Sequence, residues 1–293
     1  MSEVTGNICF EQKELGWKGS KMRCLLLTSM GKASLRETLM QVINQTKEYD
    51  NIKIPDVFEF YPKGVVNPNE VELDKQEIPI GGSREYCNKL YRWWLGDTKK
   101  RERTPVWDVV ITAEIDQIPG LILIEAKAHE EELNNEKKGK DKPSASKNSE
   151  ENHARIQSAI IEARDGLNEA SQSDKIKIDR DTCYQMSNRL AFAWRLARLG
   201  IPVVLIYLGF EHTMEMIDGR KNRLIENYEQ WEGTVNEHSK LVGFDLWEIP
   251  ITVEVESSEN TVNIYPIIRS LDIQLKKGSL DTLLNVKCSG HRD

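Results

Sequence analysis

Two β-rich apolar runs, residues 106–115 and 121–128, flank a short turn containing Pro119-Gly120. No other stretch constrains the chain as strongly. Runs rich in valine and isoleucine specify strands, and so short a connection specifies an antiparallel hairpin. The second run nevertheless ends in Glu125-Ala126-Lys127. Residues two apart in a strand share a face. A carboxylate and an ammonium therefore project side by side, while Ile122, Ile124 and Ala126 face the other way. Burying such charges is costly without a partner or a purpose.

The register extends the pattern. With the turn centred near residues 117 and 118, antiparallel partners have numbers summing to about 235. Asp108 then falls opposite the 125–127 region, whereas Glu114 and Asp116 sit near the turn, too far along the strand to join it. Two carboxylates and a lysine suit one chemistry well. The carboxylates offer oxygen ligands to one or two Mg²⁺ ions. The metal polarises a phosphodiester and makes a bound water more nucleophilic, and the lysine orients or helps deprotonate that water and balances phosphate charge.

The residues Pro105-Val106-Trp107-Asp108, with one extra residue between proline and aspartate, and Glu125-Ala126-Lys127 resemble the PD-(D/E)xK nuclease superfamily. Their placement on a strand-turn-strand followed by helix and buried strand strengthens the likeness, which covers roughly 83–210. The resemblance implies an α/β fold: a restriction-endonuclease-like mixed β-sheet core flanked by helices, here with N- and C-terminal elaborations. It also implies Mg²⁺-dependent hydrolysis of DNA, with Mn²⁺ as a substitute, and a metal set of Asp108, Glu125 and Ala126 beside a catalytic Lys127. Double-strand cutting needs two active sites, so a homodimer is compatible with it. The family's additional helix-borne glutamate corresponds to Glu85, with Glu37 as the alternative. Its usual strand before the aspartate strand has little room between a helix at 84–95 and Val106; residues 57–61 supply it, or the topology differs.

The remaining pattern divides the chain into an N-terminal elaboration at 1–82, a core at 83–210 and a C-terminal α/β elaboration at 211–293. A helix with a Ser34–Glu37 capping box carries Leu35, Leu39, Val42 and Ile43. The helix at 84–95, with Ser83 as N-cap and Gly96 as stop, places Tyr86, Leu90, Trp93 and Trp94 on one side. Tryptophans at that spacing are core residues more often than base-stacking ones. Residues 130–150 are polar and charged, which reads as a mobile, dispensable insertion. Helices follow at 151–167 and 183–199, the latter with Thr182 and Gln185 as its capping box, then a buried strand at 201–209 and two strands at 244–255 and 262–268.

Candidate phosphate contacts are Lys99, Lys100, Arg101 and Arg103, together with Gln185 and Arg189 on the later helix. The net charge of −7 argues against a long passive DNA-coating surface but not against a local cationic groove. Five cysteines without a CxxC pair support neither a zinc ribbon nor a disulfide framework, and point to reduced thiols in a cytoplasm. No apolar run approaches the roughly 20 residues of a membrane helix, and the N-terminus does not read as a secretory signal. Two other readings stay open: a structural ion pair at a sheet edge, and a catalytically inactive nuclease-like module that binds nucleic acid or protein.

Overall fold

A computed structural model of the chain describes residues 4–9, 18–75, 78, 85–96, 103–140, 147–217, 223–256, 258–275 and 281–287. In chain order the elements are β1 (Val4–Cys9), α1 (Gly19–Ser29), α2 (Lys32–Ile43), β2 (Ile52–Lys53), β3 (Phe60–Tyr61), β4 (Val71–Glu72), α3 (Glu85–Leu95), β5 (Val106–Trp107), β6 (Val109–Ile115) and β7 (Ile118–Lys127). There follow α4 (Glu130–Asn135), α5 (Lys147–Ala170), α6 (Tyr184–Arg198), β8 (Val203–Phe210), α7 (Tyr228–Ser239), β9 (Ile251–Glu254), β10 (Thr261–Leu275) and β11 (Asp281–Lys287).

One curled mixed sheet runs β1-β11-β10-β8-β7-β6-β2, with β3 also paired to β6 and β9 to β10. The pairs β7–β8 and β8–β10 are parallel and the rest antiparallel. Parallel neighbours need long crossovers, which α4–α6 and α7 occupy. Helices on both faces explain why all eight residues of β8 are buried. One face packs Ile122, Ile124, Val204 and Ile206 against α1 and α2. The other packs Leu121, Leu123, Val203 and Leu205 against α3, α5, α6 and α7. The sheet draws strands from all three sequence segments, so the boundaries at 82 and 210 do not separate it. Among the described residues no helix is long and apolar enough to cross a membrane.

The central hairpin turns at Asp116 and Gln117, with φ of 53° and 63°, and Ile115 pairs with Ile118. Positive φ at both central residues is the mark of a turn whose twist matches its strands. Asp116 is held there by Asn51 (2.6 Å), Asn263 (3.0 Å) and Tyr265 (2.9 Å). Pro119 and Gly120 lie inside β7, not in the turn. A side chain at Gly120 would come within 2.6 Å of the Pro202 carbonyl, so close packing rather than turning demands that glycine. The register pairs Val109 with Ile124, which puts Asp108 opposite Glu125 one step further on.

Several sequence expectations give way to tertiary context. Helix α2 begins at Lys32 after Gly31, so Ser34 lies inside the first turn and forms no capping box. The α6 N-cap position is Cys183, without a side-chain cap, and Gln185 turns elsewhere. Residues 57–61 contribute only β3, which pairs with β6. Of 244–255, only β9 is strand. The insertion at 130–150 is ordered through 140: α4 forms, and Glu130 and Leu133 are buried. Residues 141–146 and Ser83 lie outside the described residues. Helix α1, absent from the sequence reading, buries Arg23, Cys24, Leu25, Leu26, Leu27 and Thr28 in succession. Six buried residues in a row leave no apolar stripe for periodicity to detect.

Candidate active site

The edge where β6 and β7 meet α6 is built by a break in a strand. Val106 and Trp107 leave the main sheet to pair with β4, and the chain rejoins it at Val109. Asp108 occupies the break. Its Oδ2 accepts the Ala126 amide N–H at 2.8 Å, which fixes its carboxyl beside the strand between Glu125 and Lys127. Glu125 and Lys127 share the sheet face of Leu123. Asp108 lies in the break itself, where Trp107 and Val109 fall into opposite cores and parity does not carry across; its carboxyl is placed at the end of β7 by the Ala126 N–H.

Glu125 is fully buried and saturated with donors. Arg189 Nε donates to Oε2 at 2.6 Å, while Gln185 Nε2 and Lys127 Nζ both reach Oε1. Lys127 also pairs with Glu136 Oε1 at 2.6 Å. Arg189 is itself pinned. It donates to the Val106 carbonyl at 2.6 Å and to Asn188 at 2.8 Å, and its guanidinium lies 4.5 Å from the Trp107 ring centroid. Glu132 accepts the Ala128 N–H at 3.3 Å and the Ser20 hydroxyl at 3.4 Å, bringing the start of α1 to the site. Tyr207, paired with Glu125 across β7–β8, has its hydroxyl buried without a hydrogen-bond partner among the described residues.

The charges settle accordingly. Burial opposes ionisation of Glu125, but Arg189 and Lys127 overcome it and hold the carboxyl below its usual range. Burial also opposes the Lys127 charge, yet Glu125, Glu136 and Asp108 raise its pKa well above the ordinary lysine value. Lys127 is therefore an ammonium at neutral pH: it can balance charge and orient a water but not deprotonate one. Burial, then the Glu125 charge, pushes Asp108 up to about 7. Burial pushes Glu136 to about 7 as well, against the pull of Lys127. Four carboxylates, Asp108, Glu125, Glu132 and Glu136, thus face two cations, Lys127 and Arg189.

Among the described residues no three His, Cys, Asp or Glu side chains form a group able to hold a metal ion. The donors that the cluster does offer are oxygens. Mg²⁺ is commonly held by one or two carboxylates and keeps several of its waters. The carboxyls of Asp108 and Glu136, both pushed up by burial, and the buried Glu136 Oε2, without a hydrogen-bond partner among the described residues, are features that a divalent cation would relieve.

The other sequence candidates lie apart from this cluster or take different parts in it. Glu85 is exposed on the first turn of α3 and pairs with Lys89 at 3.2 Å. Glu37 is on the exposed side of α2. Arg103 is exposed, 3.9 Å from Glu72, and Lys99, Lys100 and Arg101 lie outside the described residues. Gln185 and Arg189, expected to meet phosphates, instead serve Glu125. Arg189 is only 4% exposed and its donors are spent inside the protein, so it offers nothing to a phosphate in this conformation. Trp94 is a core residue and Trp93, half-buried, packs against that core; both meet Phe192, and Trp93 also meets Trp194. Sequence reasoning missed Glu132 and Glu136. The available signal was Leu133, the one apolar residue in its polar run, which anchors α4.

Comparison of the chain with protein-family models, with curated proteins and with solved structures finds no match in any of the three.

Proposed function

We propose that this chain is a metal-dependent nuclease that hydrolyses phosphodiester bonds in DNA, with a restriction-endonuclease-like core. The observation that carries the reading is the convergence of Asp108, Glu125 and Lys127 at the end of β7, with Asp108 tied to the Ala126 amide and Glu125 paired with Lys127. Asp108 and Glu125, with the Ala126 main chain, would hold Mg²⁺, or Mn²⁺ in its place. When bound, the metal supplies charge stabilisation and a more acidic water. Lys127 places a positive charge where phosphate charge develops. Gln185 and Arg189 orient Glu125 from α6. The reading goes with a cytoplasmic site of action and allows a homodimer.

A nuclease-like module that binds without cutting is favoured by one observation: three donors already occupy Glu125. One experiment separates the two. Plasmid, linear duplex DNA and RNA are incubated with Mg²⁺, Mn²⁺ or EDTA. The nuclease reading expects divalent-dependent cleavage of DNA that Asp108→Ala, Glu125→Ala and Lys127→Ala each abolish. It fails if the wild type cuts no nucleic acid with either ion. DNA binding without cleavage assigns the non-cutting module.

A further inference from the structure

Lys127 is covered, only 4% exposed, although Asp108 beside it is half-buried, and the sheet alone does not cover that ammonium. Residues 129–140 cross the end of β7 and are fastened on both sides. At one end the Glu130 carboxylate accepts from Gln230 (2.8 Å) and Thr234 (3.0 Å) and pairs with Arg223 at 3.3 Å. At the other, the Lys140 N–H donates to the Arg180 carbonyl at 2.8 Å, and the Tyr184 N–H to Lys138 at 3.3 Å. Leu133 is the main apolar anchor between them. Fastenings that are mostly polar, with one buried leucine, describe a segment that opens at lower cost than the sheet beneath it.

Between the anchors Glu136 reaches down to Lys127. Its second oxygen is buried and has no hydrogen-bond partner among the described residues. A structural ion pair pays for burial by satisfying both oxygens; here one is left unmet. The ammonium it covers is the group that, on the reading above, faces a substrate phosphate. A carboxylate on that ammonium stands where an anionic oxygen of the substrate belongs.

We propose that residues 129–140 are an autoinhibitory strap whose Glu136 carboxylate holds the place of a substrate phosphate on Lys127. The inference rests on reading Asp108, Glu125 and Lys127 as a phosphodiester site. Phosphate and Glu136 then compete, and the apparent affinity for any phosphate ligand falls by the fraction of molecules in which the strap is open.

The test is metal-free and does not depend on cleavage. Wild type and Glu136→Gln are melted in inorganic phosphate and in chloride of matched ionic strength, and amide hydrogen exchange is followed across α4. Phosphate stabilises the variant more than the wild type, and the α4 amides of the variant exchange about tenfold faster or more. Glu130→Gln, which loosens the far anchor without touching Lys127, speeds exchange in the same segment. Equal phosphate responses, or a weaker one in Glu136→Gln, overturn the strap, as does unchanged exchange in both variants. Mg²⁺-dependent cleavage is read separately. A protein that cuts DNA but shows equal phosphate responses keeps the nuclease and loses the strap. One that cuts nothing yet shows the phosphate difference keeps the Glu136 gate and loses the nuclease.

Discussion

Replacing Arg189 by alanine should destabilise the fold heavily, and the size follows from its contacts. The guanidinium pairs with a fully buried carboxylate at 2.6 Å, donates to the Val106 carbonyl at 2.6 Å and stacks on Trp107. Breaking a buried ion pair from one side typically costs about 3–5 kcal/mol, because the remaining charge is stranded. Lys127 and Gln185 still touch Glu125 and soften that penalty, while the orphaned Val106 carbonyl adds to it. A net loss of about 4 kcal/mol is expected, a large share of the roughly 5–15 kcal/mol that holds a domain together. It should appear as a fall of about 10 °C in Tm. Urea denaturation, read by tryptophan fluorescence because Trp107 lies against the site, measures it directly. The double variant Arg189→Met with Glu125→Gln removes both charges and should recover much of the loss. A surface arginine that contacts DNA predicts the opposite pattern: reduced DNA affinity and stability within about 0.5 kcal/mol of wild type. That result would refute the placement of Arg189 behind Glu125.

Two further predictions concern stability. His238 on α7 is buried with neither ring nitrogen hydrogen-bonded among the described residues, and burial, aided by Lys137 and Lys127, lowers its pKa to about 4. Between about 6.5 and 4 the unfolded chain takes up a proton that the folded one refuses, so this contribution is complete above 6.5 and is lost as pH falls, by at most about 3 kcal/mol. Asp108 and Glu136, pushed up to about 7, act with the opposite sign over the same range, so the quantity to measure is the difference between wild type and His238→Gln. A difference that does not grow as pH drops from 6.5 to 4 would sink the assignment. Leu133→Ala should cost about 2–4 kcal/mol, since the side chain is 1% exposed in the main core; an unchanged melting temperature would return this segment to the status of a dispensable insertion.

What could be read in the chain was what depends on near neighbours. The alternation along 121–128, the hairpin and the pairing of Glu125 with Lys127 on one face follow from strand geometry, and a shift of two in the register sum still left Asp108 beside them. The inward stripe of α5, with Ile156, Ala159, Ile160, Ala163 and Leu167 all buried, follows from helical periodicity in the same way. Everything that gives the charges their character came from far along the sequence. Arg189 looked like a surface cation because a helix alone does not say that a carboxylate is buried opposite it. Residues 130–140 looked disordered because composition counts their charges without knowing that Lys127 and Gln230 are there to receive them. Helix α1 escaped notice because six consecutive buried residues erase the contrast that periodicity needs. Local geometry determines which side chains share a face. Only the packing of distant segments decides which of them lose water, and that loss sets the protonation and accessibility of Asp108, Glu125 and Lys127.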